Sequence, residues 1–134
     1  MIKINNIVLK DMSITKKVLI IDDDNRNIFA LRAVLKAKGY NCLSATGGVE
    51  GLQLLEDEKD IAVVLMDMMM PGMDGYQAMA VMNLNPDLKD IPVIAVTAQA
   101  MLGDKERCLE AGAVGYVSKP INVDTLTELL VKYI

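Results

Sequence analysis

Apolar residues fall into two alternating patterns along this chain: short apolar-rich runs, and longer stretches in which they recur every three or four positions. The short runs are KVLII at 17–21, NCLSA at 41–45, IAVVLM at 61–66, PVIAV at 92–96 and GYVS at 115–118. Their lengths suit strands, and the unbroken apolar character of the first, third and fourth predicts strands buried on both faces. Between them, Ile28, Leu31 and Leu35 share one helical face that ends at Gly39, a residue suited to a left-handed helix terminus. Similar stripes occur at Val49, Leu52 and Leu55, at Met79 and Met82, and at Val123, Leu126, Leu130 and Tyr133, with a short helix over GDKERCLEAGA. Asp24, Asp74 and Asn122 stand where N-caps are needed. Strands alternating with helices predict an α/β domain over residues 16–134: five βα units around a parallel sheet, in three layers.

Residues 1–15 break this pattern, since Ile2, Ile4, Ile7 and Leu9 are irregularly spaced, and they read as an N-terminal tail or linker. A length of 134 residues fits one domain, and no output module is expected after residue 134. The longest apolar run, Ile61 to Met66, is too short to span a bilayer, and the N-terminus lacks an export pattern, so a cytoplasmic chain without membrane insertion is expected. A net charge of −4 offers no general attraction to nucleic acid. Cys42 and Cys108 have neither metal-ligand nor redox-pair spacing and read as reduced residues in or near the core. The absence of histidine restricts the chemistry most: no imidazole in this chain serves as base, nucleophile, metal ligand or phosphoryl carrier.

In an open parallel sheet, ligands bind beyond the carboxyl ends of the strands. Here the first strand ends in Asp22, Asp23 and Asp24, the third at Asp67, the fourth at Thr97 and the fifth at Lys119. If the first and third strands are neighbours, their acids converge and repel one another unless a cation neutralises them. A hard divalent ion with oxygen ligands answers that need, and magnesium, which keeps several waters, fits better than a calcium cage. An EF-hand starting at Asp23 fails, because Ile28 stands in place of its glycine and Val34 in place of its closing glutamate. Lys119 and Thr97 add an ammonium and a hydroxyl, groups that stabilise phosphoryl oxygens. Together these residues predict a phosphoryl site with Asp67 as the nucleophile, held rigidly at a strand end before the Met68–Pro71 turn.

The segments VLIIDDD, VVLMDMMMPGMDG, PVIAVTA and AGAVGYVSKP, in this order and spacing, resemble the receiver domain of two-component response regulators from Val18 onward. The resemblance implies the flavodoxin-like doubly wound strand order 2-1-3-4-5 and phosphorylation of Asp67. It further implies that Asp22, Asp23 and Asp67 organise Mg2+, or Mn2+, with the backbone carbonyl of Met69. Thr97 and Lys119 then hold the phosphoryl oxygens, assisted by the backbone amides of Met68 and Ala98, and Tyr116 matches the switch aromatic. The Lys119–Pro120 bond is expected to be cis. Met69 and Gln99 occupy positions that tune hydrolysis of the acyl phosphate. Implied partners are a histidine kinase or a histidine phosphotransfer protein as donor and a downstream protein that reads the face of helix 4, strand 5 and helix 5. MDMMMPGMDGYQAM and TAQAMLGDKERCLEAGA also resemble receivers attached to hybrid sensor kinases.

Taken singly, Asp67 reads as a turn cap, Thr97 as an ordinary strand residue and Lys119 as a surface lysine; only their joint order carries the phosphoryl reading. Two other functions compete with it. A magnesium-dependent phosphohydrolase of the haloacid dehalogenase kind uses an aspartyl phosphate, but it usually has a second acid where this chain has Met69. A scaffold that keeps the fold without the switch would not need every charged site residue. Dinucleotide binding is excluded, because TGGVEG lacks the G-x-G-x-x-G spacing.

Overall fold

The computed structural model describes residues 16–98 and 102–134. The expected tail over 1–15 and the tuning role given to Gln99 lie outside the described residues. The elements are β1 (Lys17–Ile21), α1 (Asn25–Ala37), β2 (Asn41–Ala45), α2 (Gly48–Asp57), β3 (Ile61–Asp67), α3 (Gly75–Leu84), β4 (Val93–Thr97), α4 (Asp104–Glu110), β5 (Gly115–Ser118) and α5 (Val123–Leu130). All strand pairs are parallel, and the sheet order is β2-β1-β3-β4-β5, as expected.

Alternation along each strand divides the core in two. Val18, Ile20, Val63, Leu65, Ile94, Val96 and Val117 pack on one face of the sheet, under Ile28 and Leu35 of α1 and Leu126 and Leu130 of α5. Leu19, Ile21, Val64, Met66, Val93 and Ala95 pack on the other, under Leu55 of α2, Met79 and Met82 of α3, and Cys108 of α4. β1, β3 and β4 are the central strands and are buried on both faces, which explains their unbroken apolar runs.

Three of the helices begin at predicted caps. Asp24 accepts from the Arg26 amide, Asn122 accepts from the Thr125 amide, and Asp74 forms a reciprocal capping box with Gln77. One predicted stripe differs from the structure. Val49 is exposed, and α2 instead buries Gly48, Gly51 and Leu55. Gly51 lies against the Ile21 side chain and Gly48 against Met73, so the helix approaches the sheet on its glycines and rotates Val49 outward. β4 runs one residue further than predicted and starts after Pro92, whose carbonyl still accepts from the Val64 amide. Among the described residues, no helix is long and apolar enough to cross a membrane.

Candidate functional site

Alternation decides which strand-end side chains can meet. Extending the β1, β3 and β5 patterns by one or two residues sends Asp22, Asp67 and Lys119 to the α1/α5 side of the sheet. Thr97 and Tyr116 fall on the opposite side, because Tyr116 is the register partner of Ala95 on the same strand as Thr97. The contacts agree with this division. Lys119 Nζ lies 3.1 Å from Asp22 Oδ2 and 3.3 Å from Asp67 Oδ2.

Each buried carboxylate is also oriented by an amide of its own turn. The Asp24 N–H donates to Asp22 Oδ1 at 2.9 Å, and the Met69 N–H donates to Asp67 Oδ1 at 3.0 Å. Asp67 is only 3% exposed and Asp22 6%, while Asp23 stands open to solvent. Burial pushes the Asp67 carboxyl up to about 6, and the Asp22 charge adds to the rise, against the Met69 amide and Lys119, which pull it down. Burial pulls the Lys119 ammonium down, but Asp22 and Asp67 outweigh it and raise it overall.

The sequence-predicted acids come together. Carboxylate oxygens of Asp22, Asp23 and Asp67 lie within 4.8 Å of one another. Set against the one ammonium of Lys119, the three carboxylates leave negative charge unbalanced, and their hard oxygen donors fit a divalent ion that keeps part of its water shell.

The expected backbone contacts are only partly assembled. The Met68 amide, expected at the phosphoryl group, donates instead to the Val96 carbonyl at 2.9 Å, because it continues the β3–β4 ladder. The amide facing Asp67 is that of Met69, for which the sequence reading named the backbone carbonyl and a tuning position but not the amide; its position two residues after an Asp, where side-chain-to-backbone turns form, was the available signal. Thr97 is buried at the end of β4, and Ala98 follows it, exposed, at the same edge. Tyr116 is half-buried, and its hydroxyl donates to Asp104 Oδ2 at 3.1 Å. The Lys119–Pro120 peptide is cis.

Comparison with known proteins agrees with this fold. A family model described as the response regulator receiver domain matches residues 18–131. The chain belongs to that family. As a receiver it is similar to the polar-differentiation response regulator DivK of Brucella ovis, at 36% identity over 120 residues covering 90% of this chain and 97% of that protein. Among solved structures, it resembles the receiver domain of sensor histidine kinase PA1611 from Pseudomonas aeruginosa, which has a magnesium ion coordinated in its active site cleft. That match has a TM-score of 0.79 at 30% identity and covers 88% of this chain and 96% of that one. The chemotaxis protein CheY4 of Vibrio cholerae matches with a TM-score of 0.80 at 26% identity, over 89% of this chain and 98% of that one. The chain is thus a receiver of two-component signalling, with an acidic cluster of Asp22, Asp23 and Asp67 at the carboxyl edge of its sheet.

Proposed function

We propose that this receiver, spanning residues 16–134, accepts a phosphoryl group on Asp67 from a phosphohistidine and passes the change to a protein partner through the face of α4, β5 and α5. The observation that carries the reading is the buried Asp67, with one carboxylate oxygen held by the Met69 amide and the other beside Lys119.

Asp67 attacks phosphorus in line; the bond from phosphorus to the donor's imidazole nitrogen breaks as the bond to the carboxylate oxygen forms. The imidazole leaves with the electron pair and is protonated on the donor's side. Asp22, Asp23, Asp67 and the Met69 carbonyl would hold Mg2+, with Mn2+ as an alternative. Bound there, the ion supplies neutralising charge for the transferring oxygens. Lys119 supports the same oxygens from the β5 side, and a fixed ammonium costs no reorganisation at the moment of transfer. Thr97 ends the neighbouring strand β4 and Ala98 follows it, and on this reading the Thr97 hydroxyl and the Ala98 amide receive a phosphoryl oxygen. The Thr97 hydroxyl, drawn toward that oxygen, vacates space on the face it shares with Tyr116, and Tyr116 turns into it.

No histidine occurs in these 134 residues, so the donor is a histidine kinase or a histidine phosphotransfer protein, on another protein or another domain. On this reading the chain works in the cytoplasm, where its two free cysteines stay reduced.

Incubation with Mg2+ and acetyl phosphate, followed by intact mass measurement, tests the proposal. One phosphoryl addition is expected, abolished by chelator and reversed by hydroxylamine, which cleaves acyl phosphates. Absence of any addition from a protein that demonstrably binds Mg2+ would exclude an autonomous acceptor.

A further inference from the structure

Helix α4 spans seven residues, too few to be stable alone, so side-chain contacts must hold it in place. On the α3 side these are well developed. The Arg107 guanidinium lies over the Tyr76 ring at 4.7 Å from its centroid, the Tyr76 hydroxyl and Cys108 Sγ are 3.5 Å apart, and Asn83 Nδ2 donates to the Ala111 carbonyl at 3.2 Å. Burial, with the Cys108 sulfur beside it, pushes Tyr76 up to about 12. On the β5 side the first residue of the helix, half-buried Asp104, accepts the Tyr116 hydroxyl at 3.1 Å.

Two features make that last contact consequential. Tyr116 shares its sheet face with Thr97, so it lies between α4 and the end of the strand that borders Asp67. Gly103, with a φ of 87° before Asp104, is in the left-handed region, where glycine allows the backbone to change direction. The start of α4 is therefore set by a glycine hinge and by side-chain contacts to α3 and β5.

We propose that Asp104 is a latch that holds Tyr116 in its resting position, so that the switch at Asp67 must break this hydrogen bond to operate. The inference rests on the phosphoacceptor reading for its link to Asp67, but the latch can be observed without phosphorylation. Because coupling is reciprocal, a contact made only in the resting state opposes phosphorylation, and removing it favours the phosphorylated state. Asp104 is a positioning residue here and touches no reacting atom.

The test is 19F NMR of the protein labelled with 3-fluorotyrosine, whose four tyrosine signals are assigned by single Tyr→Phe variants. Asp104→Ala, with Asp104→Asn as a milder variant that keeps a helix-favouring side chain, is expected to shift the Tyr116 resonance while Tyr40 and Tyr133 stay in place. In the acetyl phosphate assay, Asp104→Ala is expected to label about three to ten times faster than wild type, as loss of a charge-assisted hydrogen bond would allow. In a Tyr116→Phe background the same substitution should have no further effect, which a merely structural role would not produce. An unmoved Tyr116 signal in the unphosphorylated variants overturns the latch, whatever Asp67 does. A shifted signal with no labelling of wild type refutes the acceptor reading and leaves the latch standing. Acceleration that persists without the Tyr116 hydroxyl also overturns the latch.

Discussion

Asp67→Asn is expected to take up no phosphoryl group and yet, in chelator at pH 7.5, to be the more stable protein. The first result follows from removing the carboxylate proposed as the nucleophile, and labelling should fall to background. The second follows from the electrostatics of the metal-free cluster. Burial raises the Asp67 carboxyl from its ordinary 3.8 to about 6, so the fold prefers the neutral form. A raised carboxyl contributes stability that is complete below the unfolded value, near pH 4, and is lost as pH climbs through about 6. Above that point the folded chain bears the cost of a buried charge opposed by Asp22, which Lys119 and the Met69 amide only partly offset. An amide of the same shape has no such charge, while its oxygen still accepts from Met69. Urea unfolding in chelator should show the two proteins nearly equal at pH 4 and the variant ahead by about 2 kcal/mol at pH 7.5. Adding Mg2+ should narrow or reverse the gap, because ligand binding stabilises the wild-type fold by mass action. A variant no more stable than wild type in chelator at pH 7.5 would mean that Asp67 is better solvated than its burial implies.

The strands and the polar residues that end them were legible because both depend on local pattern, whereas the order 2-1-3-4-5, which brings β1 and β3 together and with them the acids, came from the resemblance to receivers. A strand buried on both faces must be written as an unbroken apolar run, and a polar residue at its end therefore stands out, as Asp22, Asp67 and Thr97 do. Lys119 was legible for the same reason, once β5 was recognised. What escaped the sequence depends on contacts between residues far apart in the chain. Nothing in KERCLEAGAVGY tells that Asp104 accepts from Tyr116, since the intervening turn decides whether the two meet. Val49 has the spacing of a buried residue, but the glycines beside it let α2 settle on Ile21 and Met73 and turn Val49 to solvent. That the Met68 amide stays in the β3–β4 ladder while the Met69 amide turns to Asp67 depends on where that ladder stops, a one-residue question that periodicity does not resolve.

Gly75→Ala should be the most disruptive single-methyl change near the site. In sequence Gly75 closes the GMDG turn and looks like ordinary loop punctuation, but in the fold it is buried, directly behind the acceptor strand. A Cβ there would sit 2.7 Å from Met68 Cα, 2.8 Å from the Asp67 carbonyl oxygen and 2.6 Å from Met68 Sδ. The methionine side chain can swing away, whereas the two backbone atoms belong to the strand end that carries the nucleophile and cannot yield without moving it. Either α3 is pushed off its seat, or Asp67 and Met68 shift. The overpacking cost is about 2–3 kcal/mol, read as a lower urea midpoint. Displacing the nucleophile by a fraction of an ångström should also slow acetyl phosphate labelling by about tenfold or more. Gly47→Ala is the matched control: it begins α2 with extended backbone and nothing within 4 Å of its new methyl, so its cost should stay below about 1 kcal/mol with labelling unchanged. If the two variants unfold together and label alike, α3 does not rest on the Asp67 strand end as closely as the geometry requires.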